Sequence, residues 1–434
     1  MASLSTSSAM ASPLLDYLSK EEPVYEWKLA DSQQVEGMDV HTILLTSQTW
    51  QEYVWKHQLT IVVPQDMRNP DTCLLFVTGG SADPETGQPR MRDLSNDEIR
   101  MIGQVAQGSG SPAAVLFNVP RQPIFNGLVE DEIISLTFQK YMETGDPTLP
   151  LLFPMVKSAV KAMDALQELS EQEMESGIGE FVVCGGSKRG WTTWLTGASD
   201  ERVAAIAPMV IDMLNWDKHI PYHLEMWDRY SPQISDYTEK SLPQMLKTER
   251  GEDLKQMVDP YAYREHYTMP KLIMIGANDP YWPLDSIKWY FDDLPGPKFI
   301  HYTPNAGHGL GDGRMAIESL TGFFATEAAG MEHPKLEWSV EETADGFKFE
   351  LHTGEGIQAI RLWETTSSDR DFRNNLWTVA DTIGDPQAVN SMVLPYPDKG
   401  YHAFIAEARF ESPAGGTYGK CSQVMILTPG GLLK

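Results

Sequence analysis

The stretch that most constrains this chain lies at residues 181–191, Phe-Val-Val-Cys-Gly-Gly-Ser-Lys-Arg-Gly-Trp. Four apolar residues end at two glycines, a single serine follows, and a segment able to be helical begins at Trp191. Strand, tight turn, serine and helix in that order describe a nucleophile elbow. There the serine hydroxyl sits at the tip of a strained turn, and the next backbone N–H faces an oxyanion. A side chain at Gly185 or Gly186 is expected to crowd that turn. One position departs from the G-x-S-x-G pattern: Arg189 stands fifth, and Gly190 comes one residue late. The plain alternative is a glycine-rich strand-to-helix turn with an uninvolved serine, so the motif needs support from the rest of the chain.

That support begins with the surrounding pattern. Apolar runs at 73–78, 113–119, 181–184, 203–211 and 271–277 read as buried strands, with further strands at 24–29, 41–47, 59–64 and 298–303. Helical periods occupy 97–107, 149–169 and 314–327. Strands apolar on both faces belong to sheets covered by helices, and their alternation with helices predicts a doubly wound, mostly parallel α/β sheet of the α/β-hydrolase kind. Residues 212–268 interrupt the alternation with Trp, Tyr, His and Met among charges, and an insertion after a central strand suits a lid. Beyond His333-Pro334 the helical periods vanish. Short alternating strands at 335–340, 346–352, 357–363, 402–410 and 422–427 predict a β-sandwich, Ig-like at about 100 residues. The expected organisation is a flexible 1–20, an α/β catalytic domain over 21–332 with its lid, and a sandwich over 333–434.

A serine hydroxyl is a weak nucleophile; it needs a base, and the base needs an orienting acid. In α/β hydrolases these follow in the order Ser, acid, His. Here Ser187 is followed by Asp279 at a strand end and by His308 in a loop flanked by Gly307 and Gly309. All three fall at carboxyl ends of strands, where doubly wound sheets place their sites. Asp285 is the competing acid, with a helix N-terminus as its other role. The oxyanion N–H groups are assigned to Lys188 and to Gly80, the latter in the glycine turn after the 73–78 strand, where a plain turn is the alternative. The Lys188 ammonium would add positive charge there, whereas Arg189 is expected to pair with an acid. Trp191 and Trp194, three apart, read as core. In the lid, Glu225, Trp227 and Tyr230 are candidate substrate contacts, with a solvated helix face as the alternative. His219 and His223 are four apart, but Pro221 lies between them and H-E-x-x-H is absent, so no metal site is read. The chemistry requires no cofactor.

Composition narrows the partners. With 61 acidic against 34 basic residues the formal charge is −27, which repels phosphate backbones and anionic lipid and argues against nucleic-acid or membrane-surface binding. Three cysteines (Cys73, Cys184, Cys421) do not make a disulfide framework, and the first two sit in apolar runs as expected buried thiols. No stretch approaches ~18 consecutive apolar residues, and the first residues lack the basic start and apolar run of a signal peptide.

Five segments then carry a resemblance: Gly-Gly-Ser-Lys-Arg-Gly-Trp-Thr-Thr-Trp (185–194), Ala-Pro-Met-Val-Ile-Asp (207–212), Tyr-Ser-Pro-Gln-Ile (230–234), Asp-Leu-Pro-Gly-Pro-Lys (293–298) and Pro-Asn-Ala-Gly-His (304–308). The chain resembles the PhoPQ-activated pathogenicity-related family, which takes in autocrine proliferation repressor-like proteins, over most of residues 20–430. The resemblance implies an α/β-hydrolase fold with a C-terminal β-rich domain, a triad at Ser187, Asp279 and His308, and export to the periplasm or cell exterior. Some members resemble dipeptidyl peptidases in fold, yet no paired-glutamate motif for gripping a peptide amino terminus is visible here. A weaker similarity, confined to the elbow, is to glucuronoyl esterases, whose basic residue after the serine helps the oxyanion hole and would give Lys188 that role. The expected function is a serine hydrolase acting on small-molecule esters, since ester hydrolysis asks least of a site. The alternatives are a dipeptidyl-peptidase-like aminopeptidase and a secreted signalling or binding protein on a hydrolase scaffold. The oligomeric state is not legible in the sequence.

Overall fold

Both faces of the central strands are apolar, and the computed structural model, which describes residues 12–174, 177–344, 346–383 and 390–433, covers both with helices. The chain runs through α1 (Pro13–Leu18), β1 (Glu26–Val35), β2 (Met38–Trp50), β3 (Tyr53–Pro64), β4 (Thr72–Val77), α2 (Asp97–Ser109), β5 (Ala113–Leu116), α3 (Glu130–Thr144) and α4 (Leu152–Glu173). It continues through β6 (Glu180–Gly186), α5 (Lys188–Ser199) and β7 (Val203–Met209). The helical insert α6 (Trp216–Trp227), α7 (Ser235–Thr238), α8 (Leu242–Met245) and α9 (Glu249–Val258) follows, then β8 (Lys271–Gly276), β9 (Lys298–Thr303) and α10 (Arg314–Ala328). The strand order is β1-β2-β3-β5-β4-β6-β7-β8-β9. Pairings from β5 through β9 are parallel, while β1, β2, β3 and β5 pair antiparallel.

Side chains alternate between two helix layers, as a period of two requires. Leu75, Phe181 and Val183 point into the layer that includes Met155, Val156 and Leu166 of α4; Leu74, Val182 and Cys184 point to Ile99 and Ile102 of α2 and Phe323 of α10. Helix α2 starts where the Asn96 side chain accepts the Glu98 and Ile99 N–H groups, and it stops at Gly110 in the left-handed conformation. Cys73, Cys184 and Cys421 are buried free thiols.

Three expectations change. Residues 1–11 of the expected flexible start lie outside the described residues, and Pro13–Leu18 form a helix with Leu14 and Tyr17 buried. Helix α3 adds to the expected elements: Ile134, Phe138 and Tyr141 fall at i, i+4 and i+7, with Ile133 beside them, and all four are buried. The expected 422–427 strand is instead broken: one strand ends at Cys421 and the next starts at Met425, and Ser422 between them donates its N–H to Ala406 O while its hydroxyl accepts the Ala406 N–H.

After residue 333 come β10 (Leu336–Thr343), β11 (Gly346–Thr353), β12 (Ile357–Ser367), β13 (Thr378–Ile383), β14 (Asn390–Leu394), β15 (Tyr401–Glu411), β16 (Thr417–Cys421), β17 (Met425–Thr428) and β18 (Gly431–Leu432). Strands β10, β11 and β14 make a separate three-stranded sheet. Phe347, Phe349 and Leu351 of β11 share a core with Ile360 and Leu362 of β12 and Phe404 of β15. The second layer is not free-standing. Its strands β16-β15-β12-β13 prolong the central sheet, joined where Cys421 pairs with Ile300 of β9.

Candidate active site

Strand β6 delivers Ser187 at the N-terminus of α5 with φ 57° and ψ −123°, a left-handed conformation that a non-glycine residue adopts only under constraint. The constraint is close packing. A Cβ on Gly185 would stand 2.8 Å from Val77 O, and one on Gly190 would stand 2.8 Å from Met209 O. Gly186, expected to be equally crowded, has its nearest neighbour at 4.0 Å. Gly190 therefore supplies the close helix-to-strand approach that lets Arg189 occupy the fifth position. The Arg189 guanidinium leaves the elbow for Glu130 at the start of α3.

The loops after β8 and β9 bring the acid and the imidazole to the serine. His308 Nε2 lies 2.8 Å from Ser187 Oγ, and His308 Nδ1 lies 2.8 Å from Asp279 Oδ2. An ionised carboxylate only accepts, so Nδ1 carries the proton and Nε2 accepts from the serine hydroxyl. Asp279 is 5% exposed, and its second oxygen accepts the Tyr281 N–H at 2.9 Å. Tyr281 stacks on the His308 ring, centroids 4.0 Å apart at 24°, a contact that no motif announced. Asp285 is not at the imidazole: it accepts from Tyr222 Oη at 2.8 Å and pairs with Lys288 at 2.9 Å.

Lys188 begins α5, which leaves its backbone N–H at the helix N-terminus. Its ammonium is engaged by Asp131 at 2.9 Å and Glu130 at 3.1 Å. Burial opposes the charge on Lys188, but Asp131 and then Glu130 outweigh it and raise its pKa. Gly80 follows β4, and its carbonyl accepts from Gln122 Nε2 at 2.9 Å; it is not among the residues lining the cleft at Ser187.

That cleft encloses about 810 Å³ of non-atom space, part of it open solvent. Elbow, α3 and the helical insert wall it with Phe138, Trp191, Trp216, Ile220 and Leu254. Trp191, expected as core alone, is a wall residue, edge-on to Trp216 at 5.5 Å; Trp194 packs in the core on Tyr267. None of the three lid candidates lines this cleft. Glu225 is exposed and 3.4 Å from Arg370, Trp227 lies under the Arg373 guanidinium at 4.0 Å, and Tyr230 tilts against His223. His219 and His223 do line it, their rings 5.1 Å apart. Burial lowers both pKa values, that of His223 to about 4, so both are neutral at pH 7. Among the described residues no group of three or more His, Cys, Asp or Glu is placed to hold a metal ion, and no helix is long and apolar enough to cross a membrane.

The sequence profile described as PhoPQ-activated pathogenicity-related protein matches residues 14–373. Autocrine proliferation repressor protein A of Dictyostelium discoideum is 30% identical over 437 residues, covering 93% of this chain and 87% of that protein. Among solved structures, the acetyl xylan esterase from Paenibacillus sp. R4 aligns at TM-score 0.47 and 14% identity, over 68% of this chain and 86% of that one. Acetyl xylan esterase 1 from Thermoanaerobacterium sp. JW/SL YS485 aligns at TM-score 0.45 and 15% identity, over 73% and 91%.

Proposed function

The chain belongs to the PhoPQ-activated pathogenicity-related protein family, and from that premise we propose that it is a serine hydrolase cleaving carboxylic esters through an acyl-enzyme. The observation that carries this reading is the unbroken line Ser187 Oγ–His308 Nε2, His308 Nδ1–Asp279 Oδ2, both 2.8 Å, on a strained elbow. Ser187 Oγ attacks the ester carbonyl while His308 Nε2 takes its proton, and Asp279 holds the imidazole and stabilises its charge. The tetrahedral oxyanion is received by the Lys188 N–H. His308 then protonates the leaving alkoxide, and water repeats the sequence on the acyl-serine.

The cleft favours esters over peptides with a free amino terminus. An ammonium needs unpaired carboxylates, and Asp131 of the cleft and its neighbour Glu130 are already engaged by Lys188, Arg189 and Tyr237. A second reading, a secreted signalling or binding protein on a hydrolase scaffold, draws on the name of the Dictyostelium relative. In either reading the C-terminal strands act as an Ig-like packing module, and the protein works outside the cytoplasm.

Fluorophosphonate labelling followed by intact mass separates the two. One adduct on the parent that vanishes in Ser187→Ala supports the hydrolase; folded parent protein without an adduct moves the assignment to the binding protein.

A further inference from the structure

The Ser187 cleft has polar side chains in its wall, but they are spent on the protein itself. The Lys188 ammonium lies between Asp131 at 2.9 Å and Glu130 at 3.1 Å, and Asp131 also accepts the Tyr237 hydroxyl at 2.8 Å. The indole N–H groups turn away from the cleft space: Trp191 Nε1 donates to Val258 O at 2.6 Å and Trp216 Nε1 to Met213 Sδ at 3.3 Å. His219 and His223 are buried in the wall, and His223 Nδ1 accepts the Ser231 N–H at 3.3 Å. Tyr281 is stacked on the His308 ring, which keeps it at the reacting end. A polyhydroxylated substrate would lose water along such a wall and find few groups to replace it, at a cost for every hydrogen bond left unmade.

The apolar part of the wall comes from two sources. Trp191 stands one turn into α5, its backbone N–H on Ser187 O at 3.0 Å, so its ring belongs to the elbow. The helical insert carries no member of the triad, yet it adds Ile220 of α6, Leu242 and Leu246 at α8, and Leu254 of α9. A substrate that stops at the elbow leaves these four aliphatic side chains to water. One that runs on beneath the insert covers them, and hydrocarbon against Leu and Ile gains both burial and dispersion contact.

We propose that the substrate is an ester with an extended hydrocarbon chain on one side of its carbonyl, and that the chain lies between the elbow and the helical insert. The insert is then the part of the fold that sets chain preference, through Ile220, Leu242, Leu246 and Leu254. The chain belongs to the acid or to the alcohol half of the ester, and both present the same surface to this wall. The inference rests on the esterase reading only for which bond is cut; the chain contact is a statement about binding.

The test is therefore a binding measurement that chemistry does not enter. Ser187→Ala protein is titrated with methyl octanoate, octyl acetate, ethyl acetate and glyceryl monoacetate, following the fluorescence of the tryptophans that wall the cleft. At three- to fourfold per buried methylene, at least one long-chain ester should bind on the order of a hundredfold more tightly than either short one. Tighter methyl octanoate places the chain in the acid half, and tighter octyl acetate in the alcohol half. Adding Ile220→Asn, at a half-buried position, or Leu254→Ala should cut that preference roughly fivefold or more. Similar binding of all the esters, no saturable binding of either long-chain one, or a preference left whole in both variants overturns the proposal. Fluorophosphonate labelling of the parent is scored separately: an adduct with no chain preference overturns this inference alone, and a chain preference without an adduct overturns the esterase alone.

Discussion

Arg189 grips Glu130 with both terminal nitrogens, Nη1 to Oε2 and Nη2 to Oε1 each at 2.7 Å, while its Nε donates to Val119 O at 2.5 Å. One side chain thus ties the elbow helix to the start of α3 and to the loop after β5. Removing one partner of a buried pair strands the other charge, at about 3–5 kcal/mol. The Glu130 side chain is 32% exposed and keeps Lys188, so the lower end applies. Arg189→Met should lower the unfolding free energy by about 3 kcal/mol in urea, and adding Glu130→Leu should recover part of it. A loss within about 0.5 kcal/mol would mean the pair is superficial.

Acid should unfold the protein in two windows. Burial lowers the His57 pKa from 6.5 to about 4, against the Phe117 and Asn118 backbone contacts. Burial raises that of Glu130, but Arg189 and Lys188 outweigh it and bring it from 4.5 to about 2. Both folded pKa values lie below the unfolded ones, so the unfolded chain takes each proton first and stability falls with pH. The His57 contribution is whole above pH 6.5 and lost towards 4; the Glu130 contribution is whole above 4.5 and lost towards 2. Urea midpoints measured across both windows should show His57→Gln flattening the first and Glu130→Gln the second. Unchanged slopes would contradict the assignment.

Tyr281 limits the freedom of the His308 ring by stacking on it. Tyr281→Ala should reduce kcat on a small ester roughly tenfold, since misplacing a reacting group by a fraction of an ångström has that scale of effect. Tyr281→Phe keeps the stack and should stay near the parent. Equal loss in both variants would assign the effect to the hydroxyl instead.

The C-terminal region reaches the site through two asparagines. Asn278, beside Asp279, donates to Phe372 O at 3.0 Å and Asn375 O at 2.8 Å. Asn305, three residues before His308, exchanges bonds with Trp377 at 2.7 and 2.9 Å. Asn278→Ala and Asn305→Ala should each lower kcat roughly tenfold while KM moves little. A lowered Tm with unchanged kcat per folded molecule would make the brace structural only.

The two elbow glycines should separate cleanly. Gly190→Ala forces a methyl to 2.8 Å from Met209 O and should cost about 2 kcal/mol in urea unfolding, whereas Gly186→Ala has room and should cost little. Similar losses at both positions would contradict the packing account.

The sequence by itself determined the sheet and the three chemical groups of the site. Apolar runs such as 73–78 and 181–184 have to be buried on both faces, and a glycine-bounded serine, a strand-end acid and a glycine-flanked histidine are local signals in a fixed order. Only the tertiary structure decided what surrounds them. Choosing Asp279 over Asp285 depends on which loop meets His308, because both acids follow the same strand within a few residues. Arg189's partner is 59 positions away, at the start of a helix that the elbow motif does not announce. Of the lid residues named from composition, Glu225 and Trp227 face Arg370 and Arg373 and Tyr230 lies against His223, while His219, Trp216 and Tyr281 wall or hold the site. Which face of a lid helix turns inward is set by the elements it packs against, and these lie far off in sequence; a single chain read in order carries no signal of that.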